Sequence, residues 1–353
     1  MQKVISRTRI DFPFFFGIFF LVLLSFVVLN SIAPFLFPLY FFYLVLALIV
    51  FFILFQIDFE IISLFSKHFY VASIIFLILP LLIGQVTRGA IRWIPLGPLT
   101  IQPAEIVRPF LLVFFANFLI NKELTLKRFV QALALLALPT FLILVQPSLG
   151  VAVLTVVGFV GVILAANVPK KFFLYGIIIF IALAPLIWRI LAPYQRDRIL
   201  TFVDPSKDPY GTGYNALQSM ISVGSGKLLG RGLGKGVQTQ LAFLPEKHTD
   251  FIFAATAEEL GLLGAGLLLL GGFFILSRLV SIIENSTSPG ARAYVSGFFL
   301  TLLVQTFVHI GMNLGLLPIT GIPFPLVSAG GSSLLATFIG LAISFSAKRK
   351  IPA

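Results

Sequence analysis

The chain has 353 residues, 59% of them hydrophobic and 11% charged, with a mean hydropathy of +1.06; a soluble domain carries about a quarter charged residues, so one water-facing globule is excluded. Cysteine is absent, which rules out disulfides, thiolate metal sites and a cysteine nucleophile. The net charge of +12 does not point to nucleic acid, because the basic residues are scattered through short connections and form no stripe interleaved with base-stacking aromatics.

Apolar runs of roughly 18 residues or more recur along the chain, each enough to cross about 30 Å of hydrocarbon as helix. In chain order they predict spans over 12–32, 35–55, 69–84, 106–120, 129–145, 149–167, 172–191, 251–283, 294–315 and 328–346. That is an all-α polytopic membrane protein of about ten transmembrane helices, with one large loop, 193–250, between the seventh and eighth. No repeat or linker divides 1–353, which is expected to form a single membrane domain. The first run follows Lys3, Arg7 and Arg9 as a signal peptide would, but it continues past Phe26 without a small-residue cleavage site, so it reads as a retained helix. The eighth run is too long for a simple span and is expected to tilt or to extend beyond the bilayer near Arg278.

When the spans alternate, Lys3, Arg7, Arg9, Lys67, Lys122, Lys127, Arg128, Lys170, Lys171, Arg278, Arg292, Lys348, Arg349 and Lys350 fall on one side, while the opposite connections at 30–34, 146–148 and 316–327 carry no Lys or Arg. Such a bias sets orientation, so both termini are expected in the cytoplasm and the 193–250 loop outside. Arg88, Arg92 and the cations of the long loop break the bias. Long loops translocate regardless of charge; cations kept there also suit an anionic ligand.

Four stretches could carry chemistry. In RGAIRWIPLGPLTIQPAEIVRPF (88–110), Glu105 and Arg108 are three apart at the head of a helix, so they share a face and can pair; Trp93 reads as an interfacial anchor. The long loop holds a glycine-rich centre, 224–236, with Lys227, Arg231 and Lys235. It lacks the Gly-Lys-Ser/Thr order of a nucleotide loop, yet its amides and cations could hold a lipid pyrophosphate. Asp250 lies where this loop meets the eighth span, in EKHTDFIFAATAEELG; it either complements a helix dipole or acts as a partly desolvated general base. Glu258 and Glu259 lie deeper, where ionisable residues are functional suspects or pair with cations in the bundle. In HIGMNLGLLPITGIPFPLVSAGGSS (309–333) a proline-broken backbone at membrane depth needs protein or a watery cavity to satisfy it, which suits a substrate-lining segment with Ser328 and Ser332 as contacts. His309 has no ligand-spaced partner and reads as a packed polar contact.

In order along the chain, RWIPLGPLTIQPAEIVRP, YQRDRI, the run from DPYGTGYNALQ to EELGLLG, and HIGMNLGLLPITGIPFPLVSAGGSS resemble the motifs of the SEDS family (shape, elongation, division and sporulation). The short tails make its elongation branch, RodA, the nearer likeness. The resemblance implies a peptidoglycan glycosyltransferase of the bacterial cytoplasmic membrane. Such an enzyme polymerises lipid II, an undecaprenyl-pyrophosphate-linked disaccharide peptide, at the outer face during cell elongation, beside a class B penicillin-binding transpeptidase. It assigns Asp250, in the family's TDF motif, as general base, and matches Glu105 and Arg108 to a QPSE-x-x-K motif with Arg in place of Lys. Arg92, Arg196, Arg198, Lys227, Arg231 and Lys247 become candidates for the pyrophosphates. No organic cofactor is implied; a divalent cation, Mg or Mn, on the pyrophosphate is chemically reasonable, without a visible ligand cluster. One departure stands out: where many relatives have an acid after Gln/Glu-Pro, this chain has Ser148, so that acid is dispensable here or the protein is a less active variant. Two rival functions keep the same motifs: a transporter flipping lipid-linked precursors, and a non-catalytic scaffold for the transpeptidase.

Overall fold

The computed structural model describes residues 12–348 except 88, 89, 98, 121, 122, 124, 167, 168, 205–207, 209, 210 and 287. Lys3, Arg7, Arg9, Arg88, Lys122, Arg349 and Lys350 of the charge argument lie outside the described residues.

The chain runs through α1 (Phe12–Ile32), α2 (Phe37–Phe55), a short α3 (Phe59–Leu64) and α4 (Ser66–Ile83) into three strands, β1 (Gln85–Thr87), β2 (Ala90–Leu96) and β3 (Leu99–Ile101). Then follow α5 (Pro103–Ile120), α6 (Leu126–Val145), α7 (Leu149–Ala165) and α8 (Lys170–Ile190), the loop helices α9 (Pro193–Val203), α10 (Thr212–Ser225) and α11 (Val237–Gln240), and finally α12 (Ile252–Asn285), α13 (Pro289–Asn313) and α14 (Gly331–Ser346). Among the described residues, seven helices are long and apolar enough to cross a membrane, and the shorter apolar stretches Leu149–Ala165, Leu174–Arg189 and Gly331–Ser346 occupy the remaining predicted spans. The protein is a multi-pass, helical membrane protein.

Local chemistry sets several helix starts. Proline stands in the first turn of α5, α9 and α13, where its missing N–H is no loss and its φ is already helical. The Thr125 and Ser288 hydroxyls accept from Arg128 N at 3.3 Å and Ala291 N at 3.5 Å, capping α6 and α13.

The strands form a three-stranded antiparallel sheet, in the order β1-β2-β3, with Ile94 opposite Ile101 and Leu96 opposite Leu99. The sequence reading had only a Pro/Gly-rich turn here.

α14 is the buried axis of the bundle, its side chains from Ser332 to Ser346 all enclosed, with α2 and α5 against it. α7 crosses α13 on glycines: a Cβ added to Gly161 would lie 2.7 Å from Ser296 O and 2.8 Å from Gly297 Cα. Such close backbone approach is a usual way to gain contact between helices in lipid. Phe16, Phe19, Ile49, Phe52 and Leu82 point outward, as a lipid-facing surface requires. α8 stands apart, with Phe172 its one buried residue among the described side chains.

The 34 residues of α12 are not one helix. Gly261, at φ 68° and ψ −161°, breaks them, so the excess length of the eighth run is taken up by a break. A helix break frees carbonyls before it and amides after it, and the long loop supplies both. Arg231 N donates to Glu258 O and Gly232 N to Glu259 O, each at 2.9 Å, while Leu262 N donates to Lys227 O at 2.9 Å and Leu263 N to Leu228 O at 3.3 Å. The two backbones approach so closely that a Cβ on Gly261 would lie 2.3 Å from Gly230 N, and one on Gly226 would lie 1.8 Å from Ala257 O.

Candidate active site

At one end of the bundle a cavity of about 310 Å³ opens between α2, the sheet, α5, the α6–α7 connection, α9, the residues leading into α12, and the segment between α13 and α14. Arg92, Glu105, Ser148, Arg198, Asp250 and Gly321 are among its walls.

Asp250 is half-buried and is placed by backbone. Its N–H donates to Glu246 O at 3.1 Å, and its carbonyl accepts from Asn313 Nδ2 at 3.0 Å. Arg198 comes from the other side, on α9. A Cβ built on Gly321 would lie 3.4 Å from Asp250 Oδ2 and 3.5 Å from Arg198 Nη1. Carboxylate and guanidinium therefore both stand beside a residue without a side chain, whose φ of +70° also favours glycine.

The 314–330 segment leads into a short α14, whose 16 residues rise about 24 Å, less than the ~30 Å of a bilayer core. Side chains from neighbouring helices satisfy its irregular backbone, as membrane depth demands. Gln305 Nε2 donates to Pro323 O at 2.9 Å, His309 Nδ1 to Ile322 O at 2.7 Å and Ser25 Oγ to Val327 O at 2.6 Å. His309, fully buried, is the packed polar contact its isolation in sequence implies. Ser328 Oγ donates to Thr249 O at 2.7 Å and accepts from Phe324 N at 2.8 Å, while Ser332 Oγ accepts from Gln102 N at 2.8 Å. Both serines tie the walls together rather than facing the space.

Glu105 and Arg108 form a buried pair at 3.1 Å. Arg108 Nη2 also donates to Gln305 Oε1 at 3.3 Å, and Glu105 reaches the cavity wall. Ser148 Oγ accepts from Gln102 Nε2 at 3.2 Å, so where many relatives have an acid this chain has a neutral hydroxyl on the wall. Trp93, read as an interfacial anchor, also lines the cavity.

The other cations lie elsewhere. Arg196 donates to Arg189 O at 2.6 Å, joining α9 to the end of α8. Lys227 and Arg231 are exposed on the loop spliced to α12. Lys247 donates to Thr239 O; burial pushes its ammonium pKa down, and Glu259 and Glu258 oppose that shift. None of the four lines the cavity. Amides in and just after the glycine-rich centre are already engaged: Glu259 accepts from Gly234 N at 3.2 Å, and Glu258 from Gln238 N at 2.8 Å and Thr239 N at 2.9 Å. The two acids inside the span thus neither pair with bundle cations nor face the cavity; they hold the loop. The side chains do not fit a protein-built site for a divalent cation, since no three His, Asp or Glu converge among the described residues.

Two contributors escaped the sequence reading. Asn313 links Asp250 to the start of α12, and Gln195 lines the cavity from α9. Pro193, with Gln195 two residues on, marked the helix start that places Gln195.

Residues 7–351 match the family model FtsW/RodA/SpoVE, described as cell cycle protein. MrdB of Escherichia coli K12, a peptidoglycan glycosyltransferase, is 39% identical over 267 residues, covering 74% of this chain and 72% of that one. FtsW of Idiomarina loihiensis, a probable peptidoglycan glycosyltransferase, is 36% identical over 285 residues, covering 78% and 69%. Among solved structures, a chain of a peptidoglycan synthase complex that coordinates polymerization and crosslinking superposes with a TM-score of 0.83 at 32% identity, covering 95% and 96%. The rod shape determining protein RodA of Thermus thermophilus superposes at 0.73 with 28% identity, covering 97% of each. With nearly the whole chain matched, this protein belongs to the FtsW/RodA/SpoVE family of cell cycle proteins.

Proposed function

We propose that this chain is a peptidoglycan glycosyltransferase that polymerises lipid II at the outer face of the bacterial cytoplasmic membrane during cell elongation, with both termini in the cytoplasm and a class B penicillin-binding transpeptidase as partner. The observation that carries the reading is that Asp250 and Arg198 both stand beside Gly321 on the walls of one cavity at the bundle end. The activity of the relatives and the complex in which a similar chain was solved support it.

The reaction needs one group to take a proton and others to hold negative charge. The C4 hydroxyl oxygen of the acceptor's N-acetylglucosamine attacks the anomeric carbon of the donor's muramyl sugar. The bond from that carbon to the pyrophosphate oxygen breaks, its electron pair leaving with undecaprenyl pyrophosphate. Asp250 accepts the hydroxyl proton. Arg198 and Arg92, on the same walls, stabilise charge growing on the pyrophosphate. Glu105, its charge balanced by Arg108, shapes the wall.

The test is lipid II polymerisation by purified protein, with and without the transpeptidase, comparing wild type with Asp250→Asn. A positioned base contributes about 10²- to 10⁴-fold, so the variant is expected to lose at least about a hundredfold while keeping its fold and its partner. Equal product from both would remove Asp250 from the base role. No glycan from wild type even with partner would favour flipping of lipid-linked precursors or scaffolding.

A further inference from the structure

Gln195 is a buried hydrogen-bonding group that the mechanism leaves unused. It stands in the first turn of α9, two residues after Pro193, and is 3% exposed. Its Oε1 accepts from Ala192 N at 2.9 Å, which fixes the amide's orientation: oxygen toward the backbone, nitrogen away from it. The methyl of Ala192 cannot return the bond, so only half of a capping box is built. Nε2, itself enclosed, has no acceptor among the described residues. The side chain lines the cavity with Arg198, three residues on along the same helix face.

A buried N–H without an acceptor is unfavourable unless something supplies one. We propose that Gln195 is a substrate-binding residue, whose Nε2 donates to an oxygen of the saccharide–pyrophosphate head group beside the charge held by Arg198. This rests on the glycosyltransferase reading above. Arg198 supplies charge; the neutral amide, held at its other end by the backbone, supplies direction.

Gln195→Glu separates capping from binding. Glutamate is an ordinary residue at this position, keeps an oxygen for Ala192 N, and suits a helix N-terminus. A residue that only caps α9 tolerates the change. A residue that donates to substrate does not, because a carboxylate stands where an N–H donated. The measurements are the melting temperature, the Kd for lipid II on the purified full chain without turnover, and KM and kcat with the transpeptidase present. The expected result is an unchanged melting temperature with Kd and KM raised about tenfold or more. Competition by inorganic pyrophosphate locates the contact: a parallel weakening places it on the pyrophosphate, and unchanged competition places it on the sugar. Should the glutamate variant melt early, Gln195→Met, which has no donor, takes its place. Wild-type Kd and KM in either folded variant would overturn the proposal. A wild-type chain that binds no lipid II would overturn the glycosyltransferase reading and this inference with it.

Discussion

Asn313 serves two parts of the site at once. Its Nδ2 donates to Asp250 O at 3.0 Å and His309 O at 2.7 Å, and its Oδ1 accepts from Ala254 N at 3.0 Å, capping α12 from another helix. Asn313→Asp keeps the cap and loses the donor, turning a carboxylate toward two carbonyls. With the backbone under Asp250 released, kcat for polymerisation is expected to fall about tenfold while KM changes by less than about threefold, a split that steady-state kinetics resolves. The Glu105–Arg108 pair makes a sharper prediction about stability. Glu105→Gln leaves a 3%-exposed guanidinium without its carboxylate, which costs about 3–5 kcal/mol and is measurable as a lower melting temperature in detergent. That pair was legible from its i,i+3 spacing and Asp250 from its motif. Gln305, which shares Arg108, was not, because nothing local joins residues 197 apart.

Within α12, the glycine that breaks the helix looks in sequence like any other small residue of a membrane span. Gly261→Ala puts a methyl group 2.3 Å from Gly230 N at φ +68° and forces helix and loop apart. Left-handed backbone alone costs a non-glycine residue of order 1–3 kcal/mol, so the variant is expected to melt earlier and to be cut within 226–240 by protease under conditions that spare wild type. Glu258→Ala should give the same cleavage, since it strips the acceptor from the Gln238 and Thr239 amides. The glycines of 224–236 had suggested an anion cradle because flexible amides and cations stand together there. The structure uses the same freedom for contact between two backbones, with Glu258 and Glu259 supplying the negative charge from within the protein. The sheet was hidden for a related reason: Pro95 and Gly97 interrupt β2 and its turn as they would interrupt a loop.

Across the whole molecule, ten helices in order were legible because each is a sustained apolar run of 16 residues or more. The cavity was not, since its walls come from stretches between Leu36 and Ser333 that only tertiary packing brings together. The isolation of α8 is also a property of the assembly. The chain has no cysteine, so single cysteines can carry nitroxides without further change. A label at Leu183, exposed on α8, is expected to be mobile and oxygen-accessible in bilayers, and one at Leu341, buried in α14, immobile and protected; equal spectra would contradict the arrangement. The splice at Gly261 finally bears on how the protein is made. Its loop segment, 227–232, precedes α12 in the chain, so it is synthesised before the span whose freed groups it satisfies. The groups freed around Gly261 then meet partners already made, so insertion of the eighth span is expected to be coupled to docking of the loop.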